Sequence, residues 1–217
     1  MSSGTDPSVT VTVSASNLDE PTLTPTSTLT PESWSNSFSD VNEGNWFYSD
    51  VQYVVGNDLF DGTTTTTFSP SSPMTRGMVV TVLWRLAGSP STTSSTAFSD
   101  VPSGAWYSDA VAWAVELGIV NGIGDGLFSP GGNISRQDLA VTLMRYAEQF
   151  EVDLPQTRST VDFTDANEIS GYAVDAVTTL YAAGIINGTN SGAFDPKGQA
   201  TRAEVAAMLH RFCEAIQ

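Results

Sequence analysis

Across 217 residues the chain has one cysteine, one histidine and only eight lysines and arginines, against 24 aspartates and glutamates. Each scarcity excludes something. A lone Cys213 can form no intramolecular disulfide and no cysteine-based zinc site. Beside Phe212, in an apolar stretch, it reads as a small buried hydrophobe rather than a nucleophile. His210 is the only candidate for a Ser-His or Cys-His pair, and nothing around it suggests one. The formal charge of -16 sets up a field that repels nucleic acid and anionic lipid, which argues against a general polyanion-binding surface. No apolar run approaches the length of a membrane span, so membrane insertion is not expected. Residues 1–7 lack the basic and apolar regions of a signal peptide, so export would require a signal from upstream. What remains is 40% apolar composition over a length ample for a buried core.

The chain is built on a repeat. Residues 38–88 read FSDV, NWFYSDV, LFDG, FSP and MTRGMVVTVLWRLAG; residues 98–148 read FSDV, AWYSDAV, IVNG, FSP and ISRQDLAVTLMRYAE. Residues 163–214 read FTDA, GYAVDAV, IING, FDP and ATRAEVAAMLHRFCE. Arg76, Arg136 and Arg202 are in register with Gly62, Gly122 and Gly188, which makes three units of one design. Residues 1–37 differ: VTVTVSAS alternates like a strand and PTLTPTSTLTPES is a Pro/Thr/Ser linker, so this segment is expected to be extended.

Each unit decodes as helix, loop, helix. Val51, Val54, Val55 and Leu59 fall at helical spacing, matched by Val111, Ala114, Val115 and Ile119, then by Val177, Leu180, Tyr181 and Ile185. Gly118 and Gly184 stand where a left-handed residue ends such a helix, and Asp58 takes that place in the first unit. Thr75, Ser135 and Thr201 are expected caps of the second helix. Thr201 and Glu204 have capping-box spacing, Ser135 and Asp138 a weaker version, and Thr75 with Met78 lacks the carboxylate. The second helix has one apolar stripe, Val79, Leu83 and Leu86 in the first unit. Between the helices, Phe68, Phe128 and Phe194 should anchor a loop whose next residue is held extended by the following proline. Two short helices cannot enclose their own apolar faces. The expected fold is therefore all-α, with three helix-loop-helix units packed as a pseudo-threefold bundle in one monomeric chain.

Six of the eight basic residues recur at two positions of the second helix: Arg76, Arg136 and Arg202 at its start, and Arg85, Arg145 and Arg211 near its end. A cation at a helix start opposes the dipole. It makes sense if an anion arrives, held by the guanidinium fork and the helix N–H groups, or if it pairs with Asp40, Asp100 or Asp165 to tie units together. The later arginines suit the helix end and read as structural. Trp46 and Trp106 offer flat faces for sugar rings or a place in the core; Trp84 and Trp113 read as packing residues. The aspartates recur once per unit, whereas a glycosidase pair would be unique, so no enzyme is expected. Asn121-Gly-Ile-Gly-Asp125-Gly lacks the spacing of a calcium hand and reads as a turn. No metal or cofactor is expected.

With these motifs the chain resembles the surface-layer homology (SLH) family across residues 38–214. The resemblance rests on the F-x-D-V openings, the aromatic early in the first helix, the G-I-I-x-G-like turns, the F-x-P loops and the T-R-A-E-like helix starts. It implies a three-pronged pseudo-threefold unit that binds a secondary cell-wall polymer, often a pyruvylated glycan, in grooves between repeats. It further implies an extracellular place on a bacterial cell wall or S-layer, often in fusion with a larger surface protein. Carried onto this sequence, the groove residues would be Asp40, Trp46 and Arg76; Asp100, Trp106 and Arg136; and Asp165, Tyr172 and Arg202. The first unit departs with TRGM and a polar run from Thr63 to Thr67; the third has Tyr172 for tryptophan and one extra residue before it. Two other readings are a protein-assembly module of a cell-surface complex, and a binder of amine-decorated peptidoglycan through Asp40, Asp100 and Asp165.

Overall fold

A computed structural model describes residues 34–159 and 162–216, and among these there are six α-helices and no β-strand. They are α1 (Tyr48–Gly56), α2 (Arg76–Leu86), α3 (Ser108–Glu116), α4 (Arg136–Gln149), α5 (Val174–Ala182) and α6 (Arg202–Ala215). The all-α expectation holds. The alternating stretch around Val9, Val11 and Val13 lies outside the described residues. Two short 3-10 turns, Ala166–Glu168 and Gly171–Ala173, precede α5 and take up the third unit's extra residue.

The helix ends follow the local chemistry. Gly118 and Gly184 close α3 and α5 with φ of 71° and 81°, and Asp58 closes α1 at 57°. The hydroxyls of Thr75, Ser135 and Thr201 accept hydrogen bonds from the N–H groups of Met78, Asp138 and Glu204. Of the three starts, that of α6 closes the reciprocal capping box. Asp138 is one methylene shorter than Glu204, and its Oδ2 accepts the Ser135 hydroxyl at 2.6 Å instead.

Packing runs between units rather than within them. α1 packs on α6, α3 on α2 and α5 on α4, so each unit's first helix lies against the second helix of the unit before it. Because the first unit thereby follows the third, the ring closes. The predicted stripes fill its core: Val51, Val54, Val111, Ala114, Val177 and Leu180 from the first helices meet Leu83, Leu143 and Leu209 from the second. Phe68, Phe128 and Phe194 are fully buried, each burial contributing roughly 1.5–3 kcal/mol on transfer values.

The pseudo-threefold axis is a closed cycle of backbone hydrogen bonds. Met74 N–H donates to Ala200 C=O at 2.9 Å, Ala200 N–H to Ile134 C=O at 3.1 Å, and Ile134 N–H to Met74 C=O at 3.0 Å. Around it, the first N–H groups of each second helix donate to the next unit's loop. Arg76 N–H reaches Gly132 C=O and Gly77 N–H reaches Pro130 C=O; the same pairs recur from Arg136 and Gln137, and from Arg202 and Ala203. These donors, which a helix start leaves without intrahelical partners, are thus satisfied by the neighbouring unit.

One local expectation is corrected. Ser69, Ser129 and Asp195, each before a proline, are left-handed, with φ of 60°, 60° and 56°, not extended. Proline disfavours only the right-handed helical region for its predecessor. Each left-handed residue opens a turn in which its C=O accepts from the N–H three residues on: Ser72 on Ser69 at 3.1 Å, Gly132 on Ser129 at 3.0 Å and Gly198 on Asp195 at 3.1 Å.

Candidate inter-repeat grooves

Asp40, Asp100 and Asp165 each bind the backbone of their own unit's F-x-P loop. Asp40 accepts from Phe68 N–H at 2.8 Å and Ser69 N–H at 2.7 Å; Asp100 accepts from Phe128 and Ser129, and Asp165 from Phe194 and Asp195. Burial pushes the Asp100 carboxyl up, but these hydrogen bonds, its own N–H and the charge of Arg76 bring it below the ordinary value.

The arginines grip the same loops from the neighbouring unit. Arg76 Nε donates to Phe128 C=O at 2.9 Å, Arg136 Nε to Phe194 C=O at 2.7 Å and Arg202 Nε to Phe68 C=O at 2.7 Å. Each guanidinium also lies over the ring it grips, at 4.6, 5.3 and 4.5 Å from the centroid. A second donor reaches the turn before the loop: the carbonyls of Asn121, Asn187 and Asp61. The arginines therefore tie unit to unit, as one of the two sequence readings had it, but through carbonyls rather than the three aspartates. Nor are the helix N–H groups beside them open to an anion, since the next loop's carbonyls occupy the first two. Arg85 and Arg211 bond the carbonyls of Leu59 and Ile185, which supports their structural reading.

The aromatics stand apart from this framework. Trp46, Trp106 and Tyr172 are each 62% exposed, whereas among the described residues most other large apolar side chains are covered, Ile123 and Val174 excepted. Trp46 leans edge-on against Phe47 and Trp106 against Tyr107. Trp46 walls a groove of about 550 Å³ with Arg136, Asn187, Thr189, Glu204 and Arg211. Trp106 walls one of about 200 Å³ with Asp61, Thr63, Met78, Arg85 and Arg202. At the third position the Tyr172 hydroxyl donates to Asp138 Oδ1 at 2.7 Å and accepts from Gln137 Nε2 at 2.8 Å. Asp138 in turn lies close enough to Arg76 to act on its charge.

Each groove is therefore composite. Sequence reading grouped Trp46 with Arg76, Trp106 with Arg136 and Tyr172 with Arg202, unit by unit. The structure brings Trp46 to Arg136, Trp106 to Arg202, and Tyr172 to Asp138, whose charge acts on Arg76. One unit gives the aromatic, a second the arginine, and a third the turn and helix face between them. Sequence reading placed the residue two positions after each arginine, Met78, Asp138 and Glu204, only in the helix caps and not in the grooves. The signal was present, as this is the position where the repeated helix start varies most in charge.

That position sets the electrostatics. Glu204 forms an ion pair with Arg136 at 2.5 Å, while its other oxygen completes the cap on Thr201. Arg202, only 6% exposed, has no carboxylate at ion-pair distance among the described residues; its Nη1 has the thioether of Met74 at 3.9 Å. Burial lowers the pKa of Arg202 and of Arg76, with Asp61 and Asp40 opposing it from a distance for the former and Asp138 and Asp100 for the latter.

Other candidates resolve simply. Asn121 to Gly126 is a tight turn, with Ile123 N–H on Leu127 C=O and Asp125 left-handed. Cys213 is buried, and burial pushes its thiol up to about 11. His210 Nδ1 lies 2.9 Å from Asp50 across the α1–α6 joint, stacked on Tyr53. Trp113 is buried, and Trp84 donates to Pro90 C=O. No helix of the described residues is long and apolar enough to cross a membrane.

Known proteins can now be set beside this geometry. The family described as "S-layer homology domain" matches residues 37–77, 97–140 and 162–206, together more than half of the chain. An amylopullulanase of Thermoanaerobacterium thermosulfurigenes is 31% identical over 83% of the chain but only 10% of its own length. An endoglucanase of Bacillus sp. (strain KSM-635) is 32% identical, with coverages of 83% and 19%. An S-layer protein of Bacillus thuringiensis subsp. finitimus is 27% identical, with 80% and 21%. The chain thus spans about a tenth to a fifth of the length of these relatives. Three matches in register, each covering one aspartate, the loop it holds and the arginine that grips the next unit's loop, identify the architecture: the chain belongs to the S-layer homology domain family.

Proposed function

We propose that the chain holds a larger surface protein on the bacterial cell wall by gripping a secondary cell-wall polymer, an anionic and pyruvylated glycan, in its inter-repeat grooves. Anchoring at the cell surface is the family's general role, and relatives of this chain include S-layer proteins. The observation that carries the finer reading is the exposure of Trp46 and Trp106, each over a groove that contains two of the chain's eight basic residues. An indole presents a flat apolar face that a sugar ring can cover, and a guanidinium is suited to a carboxylate by geometry as well as charge. The surrounding charge of -16 repels anions, so an acidic glycan would be admitted only where arginines concentrate. The aspartates at 40, 100 and 165 already hold their own loops, which favours the arginines over them as the ligand-holding groups. Larger relatives named as polysaccharide-degrading enzymes suggest one kind of cargo, with no catalytic role for this segment itself.

Sedimentation with purified wall, its accessory polymer intact or stripped, tests the proposal. The chain should pellet with intact wall and remain in solution with stripped wall, and a pyruvylated saccharide should compete where an amine of similar size does not. Undiminished pelleting with stripped wall would overturn it.

A further inference from the structure

The two grooves walled by tryptophan carry equal numbers of charges, yet they are not equivalent. One has Arg136 and Arg211 against Glu204; the other has Arg202 and Arg85 against Asp61. What differs is where the carboxylate sits. Glu204 is bonded to the buried Arg136, while the half-exposed Arg211 donates to Ile185 C=O. Asp61, 76% exposed at its side chain, turns outward to Arg85 at 2.8 Å and leaves the buried Arg202 without an ion-pair partner. A buried cation lacking a counter-charge is costly, and an arriving anion relieves that cost. At the third position Arg76 likewise has no carboxylate at ion-pair distance among the described residues, but it is half-exposed, and Asp138, bonded to Tyr172 and Ser135, acts on it from a distance.

The cause is one residue. Asp138 and Glu204 stand at the third position of α4 and α6; at the equivalent place in α2 the chain has Met78, which lines the Arg202 groove. We infer that the acidic residue of the wall glycan is taken in the groove formed by Arg202, Met78 and Trp106, and that the carboxylates at positions 138 and 204 keep the other two grooves from taking it. This rests on the glycan-anchor reading above and adds which groove discriminates for charge.

Calorimetric titration with a synthetic pyruvylated wall saccharide decides it, through a pair of opposed charge changes. The intact chain should bind one equivalent. Met78→Glu places a carboxylate beside Arg202, and with Thr75 it also forms the capping box that α2 lacks, so the thermal midpoint should not fall. Binding should nonetheless weaken at least tenfold, while Met78→Gln, of the same length without the charge, keeps most of the affinity. Glu204→Gln retains a side chain that can cap Thr201 but removes the counter-charge of Arg136, so a second equivalent should bind. A stoichiometry of two or three for the intact chain, unchanged binding by Met78→Glu, equal losses with Gln and Glu, or a stoichiometry of one for Glu204→Gln would each overturn the inference while leaving the anchor reading in place. Failure of the intact chain to bind the saccharide at all would overturn both.

Discussion

Asp100 shows how much of this structure hangs on single side chains. Its carboxylate holds Phe128 and Ser129 by their N–H groups, while Arg76 of the preceding unit holds Phe128 by its C=O. One residue's peptide groups are thus gripped by two units. Because the folded pKa of Asp100 lies below its ordinary 3.8, the stabilisation it gives is present above that value and is lost as pH falls through the depressed folded pKa. Asp100→Asn should therefore lower the thermal midpoint at pH 7 and reduce the further drop on acidification below about pH 4, in melts followed by circular dichroism. A parallel acid drop in both proteins would assign the acid sensitivity to other groups. Gly122 is fixed by the same region: a Cβ there would come within 2.5 Å of the Phe98 ring and 2.7 Å of Leu127 C=O. Glycine is needed here for close approach, since its φ is not positive.

At the scale of the element, the three second helices are unequal in how they begin. α6 has the full capping box, α4 a serine–aspartate variant and α2 only the Thr75 hydroxyl. Thr201→Ala removes the side-chain half of the box and should cost about 1 kcal/mol, or roughly 2–4 °C in the midpoint for a chain of this size. Thr75→Ala should cost less, since no glutamate answers it. Equal shifts for the two would show that the reciprocal bond contributes nothing. Gly77 in α2 follows from packing: a Cβ there would lie 3.0 Å from Pro130 C=O and 3.5 Å from the Tyr107 ring, so helix propensity gives way to the joint with the second unit. The helices, their ends and their buried stripes were legible because each depends on residues three or four apart. The left-handed residue before each proline was not, because the loop it opens is held from another unit, as Pro70 C=O is by Ala203 N–H and Ser72 C=O by Arg202 N–H.

The molecule as a whole is a ring in which no unit is complete. α1 packs on α6, the cycle through Met74, Ile134 and Ala200 needs all three units, and each arginine grips a loop that is not its own. A chain ending at residue 150 would lose Arg202 from the Phe68 loop and leave the buried Arg136 with neither carbonyl nor glutamate. It should show no cooperative thermal transition, although its remaining helices keep their local signals. A sharp transition near that of the full chain would mean that two units form a self-sufficient core.

Sequence alone determined the threefold repetition, the helices, their caps, the buried faces and which residue types recur at the candidate site. It determined too that the units must cover one another, because none has the apolar area to close by itself. Only the tertiary structure decided that Trp46 lies with Arg136 and Trp106 with Arg202, and that each of the three aspartates holds two N–H groups of its own unit's loop. The reason is range. Periodicity and capping are written within one turn of helix, but Arg202 meets Phe68 across 134 positions, and that partnership exists only because the third unit returns to close the ring on the first.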